Sequence, residues 1–127
     1  MNKQTIYGVY ILAFLCLRKK RESSSVLVVA CGATSVNSIK PSLAVLVEAK
    51  YVKAYRGLGG GFEITDAGRD ATLADILELF EDQPADEYDD PFMAYVVKLA
   101  QTKQHDALAS VTIETLTRKL RTFGRTK

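Results

Sequence analysis

An arginine at the root of a glycine-rich turn is the most distinctive chemical feature of the sequence. Residues 51–56 and 62–65 each alternate apolar and polar side chains, which is typical of half-buried strands. The turn between them contains Gly57, Gly59 and Gly60, which allow positive φ or close backbone approach. Such a hairpin presents Arg56 on a narrow tip that can enter the minor groove of DNA. A surface hairpin with a flexible tip is the plainer interpretation of the same pattern.

A second set of polar side chains lies at the start of a helical pattern. The set consists of Ser35, Asn37, Ser38 and Lys40. When the N-terminal end of a helix enters the major groove, asparagine can form two hydrogen bonds with adenine and lysine can donate to guanine. Other lysines and hydroxyls would contact phosphates, which position a protein without reading sequence. The candidates for phosphate contacts are Lys3, Thr5, Lys50 and Lys53.

The sequence contains few of the residue combinations that support catalysis. Its single histidine, His105, is next to Asp106 on a predicted helix, where adjacent residues point in different directions. Cys16 and Cys31 lie in apolar surroundings without the pair spacing of a metal site, so we expect buried, reduced thiols. The acidic residues 82–90 lack the glycine and final glutamate of a calcium loop. We therefore predict neither an enzyme nor a metal-binding protein.

Three helical patterns precede the hairpin. Residues 6–17 are apolar on nearly all faces, so this helix should be buried on two sides, in a core or in a dimer. Residues 26–31 suit either a strand or two helical turns. Ser35 can cap a third helix, but Pro41 requires that this helix begins near Lys40 or is kinked.

Helices also dominate the second half of the chain. Residues 66–71 are predicted to form a loop, after which Thr72 caps a helix. Pro91 begins a long helix that reaches about residue 109, and a last helix spans residues 113–123. We expect one stripe of the long helix to pack on the core and on a partner chain. This dimerisation stripe consists of Phe92, Tyr95, Val96 and Leu99.

Charge is strongly segregated along the 127 residues, although the net charge is only +2. Residues 1–60 carry nine basic and two acidic side chains, and residues 61–90 carry one basic and eleven acidic side chains. A basic first half suits a polyanionic partner, and the acidic middle should face away from it. The basic run at residues 18–21 either compensates a helix dipole or contacts phosphate.

Targeting signals are not predicted. The apolar residues 6–17 are too few to span a bilayer, so we expect no membrane partner. Basic residues follow this segment rather than precede it, which is the wrong order for a signal peptide. We therefore predict a cytoplasmic protein.

The order of three helices and a hairpin is that of a winged helix-turn-helix, which favours DNA binding. We predict a mainly α fold with a small β-hairpin and a long C-terminal dimerisation helix. Residues 1–82 would form the winged-helix DNA-binding domain, residues 83–90 an acidic linker, and residues 91–127 a helical dimerisation segment.

Residues 46–64 resemble the bacterial regulator family of the iron–sulfur cluster regulator and the cysteine-metabolism repressor, the Rrf-two type. The shared pattern is a Leu-rich helix end, a strand, and then Arg-Gly-x-Gly-Gly-Gly-aromatic. Residues 72–77, Thr-Leu-Ala-Asp-Ile-Leu, are similar to the next family signature. Residues 111–116, Val-Thr-Ile-Glu-Thr-Leu, are similar to the last, and residues 6–9 fit the opening helix. The resemblance touches the whole chain and is strongest over residues 46–80.

The resemblance implies a homodimeric winged-helix transcription regulator. Residues 26–31 would then form the first helix of the helix-turn-helix, Ser35 would cap the recognition helix, and Arg56 would be the wing arginine. The long helix from Pro91 would make most of the dimer. Many members hold an iron–sulfur cluster through three cysteines between the fourth and fifth helices. Residues 81–90 contain no cysteine here, so we expect a member without a cluster or another cofactor.

We predict a homodimeric repressor that binds double-stranded DNA at a palindromic operator and responds to an unidentified small-molecule or protein effector. One alternative is a dimeric protein-interaction module of the same fold, in which Pro41 and an unusually apolar preceding helix have removed specific DNA binding. Another is a thiol-based redox sensor that uses Cys16 or Cys31, which requires an accessible thiol of low pKa.

Overall fold

The computed structural model describes residues 2–80, 90–102 and 109–123. Its helices are α1 (Lys3–Arg18), α2 (Ser24–Cys31), α3 (Val36–Glu48), α4 (Asp66–Asp70), α5 (Leu73–Phe80), α6 (Pro91–Thr102) and α7 (Ile113–Thr122). Its strands are β1 (Val52–Tyr55) and β2 (Gly61–Ile64). They form an antiparallel hairpin in which Val52 pairs with Ile64 and Tyr55 pairs with Gly61. The predicted mainly α fold with one small hairpin is confirmed.

Helix α1 runs through the hydrophobic core. Eleven of its sixteen residues are buried, and α2, α3, α5 and α7 pack around it. The side chain of Asn2 caps its N-terminus by accepting a hydrogen bond from the backbone N of Thr5 at 2.9 Å. The apolar surface of α1 predicts that the helix is buried on two sides. In the structure, the other helices of the same chain bury it.

Helices α2 and α3 form a helix-turn-helix. The ambiguous segment at residues 26–31 is helical, and α2 ends at Gly32, which adopts the left-handed conformation with φ 67°. The two helices are bent by 102° across residues 32–35, which lies in the range of this motif. Among the described residues, no single helix is long and apolar enough to cross a membrane, and α2 and α3 reach that length only together across the bend.

Helix α3 continues through Pro41. It runs from Val36 to Glu48, so the expectation that it begins near Lys40 is wrong. Pro41 has no N–H, so the carbonyl of Asn37 cannot receive the usual hydrogen bond from four residues later. Both residues are exposed, and water can therefore satisfy this carbonyl.

Residues 66–70 are helical, so the predicted loop is wrong. The side chain of Thr65 accepts a hydrogen bond from the backbone N of Gly68 at 3.0 Å and begins α4. Five residues are too few to leave a periodic apolar pattern in the sequence. Thr72 begins α5 as predicted: its hydroxyl accepts from the N of Asp75 at 3.1 Å, and Asp75 accepts from the N of Thr72 at 3.0 Å.

Helix α6 spans Pro91–Thr102, and the predicted continuation of this helix to about residue 109 lies outside the described residues. Asp90 lies immediately before this helix and accepts hydrogen bonds from the N of Met93 at 2.9 Å and from the hydroxyl of Tyr10. The rest of the predicted acidic linker, and His105, lie outside the described residues.

Two of the four residues of the predicted dimerisation stripe belong to the core of this chain. Phe92 and Val96 are fully buried, and the ring of Phe92 lies 5.1 Å from that of Tyr10. They have no surface left for a partner, so their prediction as dimer contacts is wrong. Tyr95 and Leu99 are half-buried and keep exposed surface.

Candidate nucleic-acid interface

The hairpin is anchored to the segment that follows α1. Glu22 and Phe62 exchange two backbone hydrogen bonds, of 3.0 and 2.9 Å, so Glu22 acts as a short third strand. Gly61 makes this approach feasible, because its φ is +129° and an added Cβ would lie 2.6 Å from the carbonyl O of Glu22. The carboxylate of Glu22 is buried and lies 3.3 Å from the Nε of Arg18. The tip end of the hairpin is therefore held by the backbone pairing of Phe62 with Glu22, and Glu22 is held to α1 by its ion pair with Arg18.

Arg21 braces the hairpin from the side. Its guanidinium lies 3.4 Å from the centre of the Tyr55 ring, and its Nη1 donates a hydrogen bond to the carbonyl O of Gly59 at 3.3 Å. The Nζ of Lys53 lies 5.1 Å from the same ring. The Tyr55 hydroxyl donates to Glu63 Oε1 at 3.1 Å, which fixes the ring. The sequence alone left open whether the basic run at residues 18–21 compensates a helix dipole or contacts phosphate, and in the structure Arg21 of this run contacts the hairpin.

The tip of the hairpin is narrow and exposed. Gly57 and Gly59 have positive φ, and the N of Gly60 donates to the carbonyl O of Gly57 at 3.0 Å. Arg56 and Leu58 are exposed, and the relative exposure of Leu58 is 107%, so this side chain is fully open to solvent. The structure thus presents a cationic side chain at the root of a thin turn, which is the shape needed to enter a groove.

The predicted base-reading residues lie on the first two turns of α3 and just before it. Asn37 and Lys40 are exposed, and Ser38 is half-buried. Ser35 occupies the N-cap position, but its side chain makes no capping hydrogen bond with the helix. Its Oγ lies 3.3 Å from the Oγ of Ser38, and that of Ser38 lies 3.4 Å from the Oγ1 of Thr34. A cluster of hydroxyl groups therefore covers the N-terminal end of α3.

A groove of about 540 Å³ lies between α3 and the hairpin. Lys40, Val36 and Val47 line it from α3, and Phe62 and Ser24 line it from β2 and α2. The structure thus brings Lys40 and Glu48 to the side of α3 that faces the hairpin, whereas Asn37 and Pro41 are exposed and do not line this groove.

The four predicted phosphate contacts divide into three exposed lysines and one buried threonine. Lys3, Lys50 and Lys53 are exposed. Thr5 is fully buried, and both its N and its hydroxyl donate to the side-chain oxygen of Asn2. Its prediction as a phosphate contact is wrong, because no polar atom of this residue is available to a partner.

Two carboxylates of α5 act on the base of the hairpin, at the end opposite its tip. The pKa of Tyr51, immediately before β1, is raised above its usual value mainly by burial and further by the charges of Asp75 and Glu78. These carboxylates belong to α5, on the acidic middle part of the chain. Arg56 follows the other end of β1, so the two signs of charge are separated along the strand.

The residues present do not fit an iron–sulfur cluster. The chain has two cysteines, which cannot supply three cysteine ligands. Cys16 and Cys31 are both buried, and the Sγ of Cys31 donates to the carbonyl O of Tyr7 at 3.7 Å. Among the described residues, no group of three His, Cys, Asp or Glu is placed to hold a metal ion. The burial of both thiols also disfavours a thiol-based sensor.

The fold is shared with solved transcription regulators. IscR from T. potens superimposes with a TM-score of 0.67 at 22% identity, covering 94% of this chain and 86% of that one. CymR, the global cysteine regulator of B. subtilis, superimposes with a TM-score of 0.69 at 19% identity, covering 94% of this chain and 96% of that one. These likenesses establish the winged-helix fold.

The sequence comparisons establish the family. A protein of Rhodopseudomonas palustris described as an HTH-type transcriptional regulator, BadM, is 31% identical over 86 residues. The match covers 68% of this chain but only 55% of the relative, so the chain spans about half of that protein's length. The model of the Rrf2 family, described as iron-dependent transcriptional regulators, matches residues 1–119. The chain therefore belongs to the Rrf2 family.

Proposed function

We propose that the protein is a cytoplasmic repressor that binds a palindromic operator in double-stranded DNA as a homodimer, without an iron–sulfur cluster. The observation that carries this proposal is the hairpin tip, where three cations gather around one braced turn. Arg56 is exposed at the tip, and Arg21 and Lys53 flank the Tyr55 ring behind it. Such a cluster suits a phosphate backbone and a narrow minor groove.

Helix α3 would enter the major groove by its N-terminal half. Asn37 is exposed and would bond an adenine, and Lys40 lines the groove beside the hairpin. Glu48 is exposed at the C-terminal end of α3 and lines the same groove as Lys40, where phosphates would repel it. The helix would therefore tilt so that its C-terminal end stays away from the DNA, and Ser35 and Ser38 would bond bases or phosphates near the N-terminus.

The hairpin and the exposed lysines would fix the register on the duplex. Arg56 would occupy the minor groove next to the site read by α3, and Lys53 would contact the backbone. Lys3 precedes Gln4, whose carbonyl O accepts a hydrogen bond from the hydroxyl of Ser42 on α3 at 2.8 Å. This contact keeps Lys3 beside α3, where it can reach a phosphate, and Lys50 follows the end of α3.

The homodimer would use the exposed surface of α6. Tyr95 and Leu99 keep surface on this helix after Phe92 and Val96 have been buried in the core. Binding of the dimer to two half-sites would require two copies of α3 about one DNA turn apart, roughly 34–36 Å. An operator with two inverted half-sites would match that spacing.

The direct test is selection from a pool of random DNA duplexes with the purified chain, at about 50 and 200 mM salt, followed by sequencing of the retained fraction. We expect a palindromic motif. The protein should also lower the expression of a reporter gene placed downstream of that motif. The control is the double variant Asn37→Ala/Arg56→Ala, whose exposed positions leave the fold intact. Salt-sensitive retention of wild-type protein without a motif would contradict specific recognition.

An interaction module of the same fold is the second candidate, and α2 supports it. Val29 on this helix is 78% exposed and Val26 is 39% exposed, although helices that face water usually carry polar residues there. If wild-type protein retains no DNA in the selection, this apolar face of α2 becomes the site to test with Val29→Ser.

A further inference from the structure

We propose that a second site, on the side of the chain formed by α1, α4 and α7, binds a small organic anion that carries two or more phosphate or carboxylate groups. The site is a pocket of about 300 Å³. Four cationic side chains line it: Lys19 at the end of α1, Arg69 of α4, and Arg118 and Arg121 of α7. This pocket is called the anion pocket below.

The described residues leave the charge of the anion pocket unbalanced. Glu114 is the one carboxylate among the described residues that line it, so this described lining carries a charge of +3 at neutral pH. Among the described residues, none of the four cations and no oxygen of Glu114 takes part in an ion pair. Like charges gathered in one concavity repel one another, and a bound anion removes that repulsion. Arginine offers the paired N–H donors that carboxylate and phosphate accept.

The floor of the anion pocket indicates the kind of anion. Cys16 and Thr117 are both buried there, and the hydroxyl of Thr117 donates to the carbonyl O of Ile113 at 2.7 Å. That hydroxyl is engaged in its own helix and leaves recognition to the cations at the rim. Leu17 adds apolar surface to the lining. A volume of about 300 Å³ is at the lower end of the range for small-molecule sites. The pocket therefore suits a compact carbon skeleton with charged groups facing outward.

The anion pocket is separate from the proposed DNA interface. Its lining comes from α1, α4 and α7, and none of it comes from α2, α3 or the hairpin. Its floor of buried side chains makes it concave, whereas a duplex backbone contacts convex or flat surfaces most readily. These two features favour a small ligand over DNA.

A path connects the anion pocket to the hairpin. Lys19 has a left-handed φ of 58° and directly follows Arg18, the ion-pair partner of Glu22. Glu22 in turn pairs with Phe62 of β2. A ligand that draws Lys19 into the pocket would shift the segment that braces the hairpin and so change operator affinity. This regulatory part of the inference rests on the proposed function, and the existence of the site does not.

Calorimetric titration of the full chain with pyrophosphate and with citrate tests the site. We expect saturable binding of at least one of them at about millimolar affinity or better. The double variant Arg118→Gln/Arg121→Gln should bind it about tenfold more weakly or worse, because two charge-assisted contacts are lost. Arg69→Gln tests the same site from another helix. The matched control is Lys119→Gln on α7, whose Nζ lies 5.1 Å from the Tyr95 ring and does not line the pocket.

Two outcomes of the titration would overturn the site: no saturable binding to wild-type protein, or an equal loss in Lys119→Gln, which would reflect net charge alone. Retention of operator DNA is then measured with and without the anion. An anion that binds but leaves DNA retention unchanged would refute the regulatory coupling only. If Arg118→Gln/Arg121→Gln loses DNA retention without any change in anion affinity, these arginines are phosphate contacts and the proposed ligand is wrong.

Discussion

The hairpin and the N-terminal end of α3 are both exposed, but the chain holds them in opposite ways. Arg21 stacks on Tyr55 and bonds the carbonyl O of Gly59, so contacts from outside the hairpin fix its shape. Asn37 and Lys40 are exposed on α3, and the hydroxyls of Thr34, Ser35 and Ser38 near them hydrogen-bond with one another.

This difference assigns two roles in DNA binding: the hairpin would position the protein on the duplex, and α3 would recognise the bases. A braced hairpin loses little conformational entropy when it meets DNA, so its cations contribute to affinity for any sequence. Side chains that are free to reorient on a rigid helix can adjust to base edges, so they contribute discrimination. Changes to the contacts that brace the hairpin should therefore alter both stability and general affinity, whereas changes to the exposed residues of α3 should alter specificity alone.

The largest effect is expected from Gly61→Ala. The new Cβ would lie 2.6 Å from the carbonyl O of Glu22, at a φ of +129° that L residues rarely adopt. The free energy of unfolding should fall by roughly 1–3 kcal/mol, because the Glu22–Phe62 pairing must open or the backbone must carry strain. Urea denaturation followed by circular dichroism measures this change.

Asn37→Ala is the comparison for stability, because Asn37 is exposed and its side chain makes no hydrogen bond within the described residues. Its free energy of unfolding should stay within about 0.5 kcal/mol of wild type. Equal stability of Gly61→Ala and wild type would mean that the hairpin is not fixed by its pairing with Glu22.

The second prediction contrasts Asn37→Ala with Arg56→Ala in DNA binding. Asn37→Ala should weaken binding to the selected motif by about 1–3 kcal/mol and leave binding to a shuffled duplex unchanged. Arg56→Ala should weaken both, with the slope of log affinity against log salt reduced by about 1. Fluorescence anisotropy at several salt concentrations measures both quantities. A uniform loss in Asn37→Ala would remove the distinction between reading and positioning.

Much of this architecture could be predicted from patterns that are local in the sequence. The apolar faces of α1 predict a buried helix, and the glycines between two alternating runs predict the hairpin. Residues 26–31 suit a strand as well as a helix, because Val and Leu occur in both. Gly32 and the helix-turn-helix order identify this segment as a helix only when the family resemblance is taken into account.

The contacts that brace the site could not be predicted in this way. Arg21 and Gly59 are 38 positions apart, and nothing in either segment shows that the guanidinium lies on Tyr55. The burial of Phe92 and Val96 was also hidden, since an apolar stripe has the same spacing whether it meets its own core or a partner. Thr5 illustrates the same limit, because a threonine near a helix N-terminus is polar in sequence and fully buried in the fold.

Arg21→Met tests the brace itself with a smaller expected effect. Methionine keeps an unbranched side chain of similar reach but removes the guanidinium from the Tyr55 ring and from the Gly59 carbonyl. Stability should fall by about 0.5–1 kcal/mol, as expected for an exposed cation–π contact. The amides of residues 57–60 should exchange hydrogen faster, because the tip is released. The control is Lys20→Met at the adjacent exposed position, and equal exchange rates in the two variants would contradict a bracing role.

The smallest effect is expected at the base of the hairpin, from Tyr51→Phe. The pKa of Tyr51 is raised above 10.0 in the folded chain, mainly by burial and then by Asp75 and Glu78. A raised folded-state pKa means that the neutral phenol stabilises the fold below the unfolded pKa, and that this contribution is lost as pH rises through the folded pKa. Wild-type protein should therefore lose stability more steeply than Tyr51→Phe above about pH 10. Urea midpoints measured across that range check the difference, and Glu78→Gln should reduce it only slightly, because burial is the larger cause.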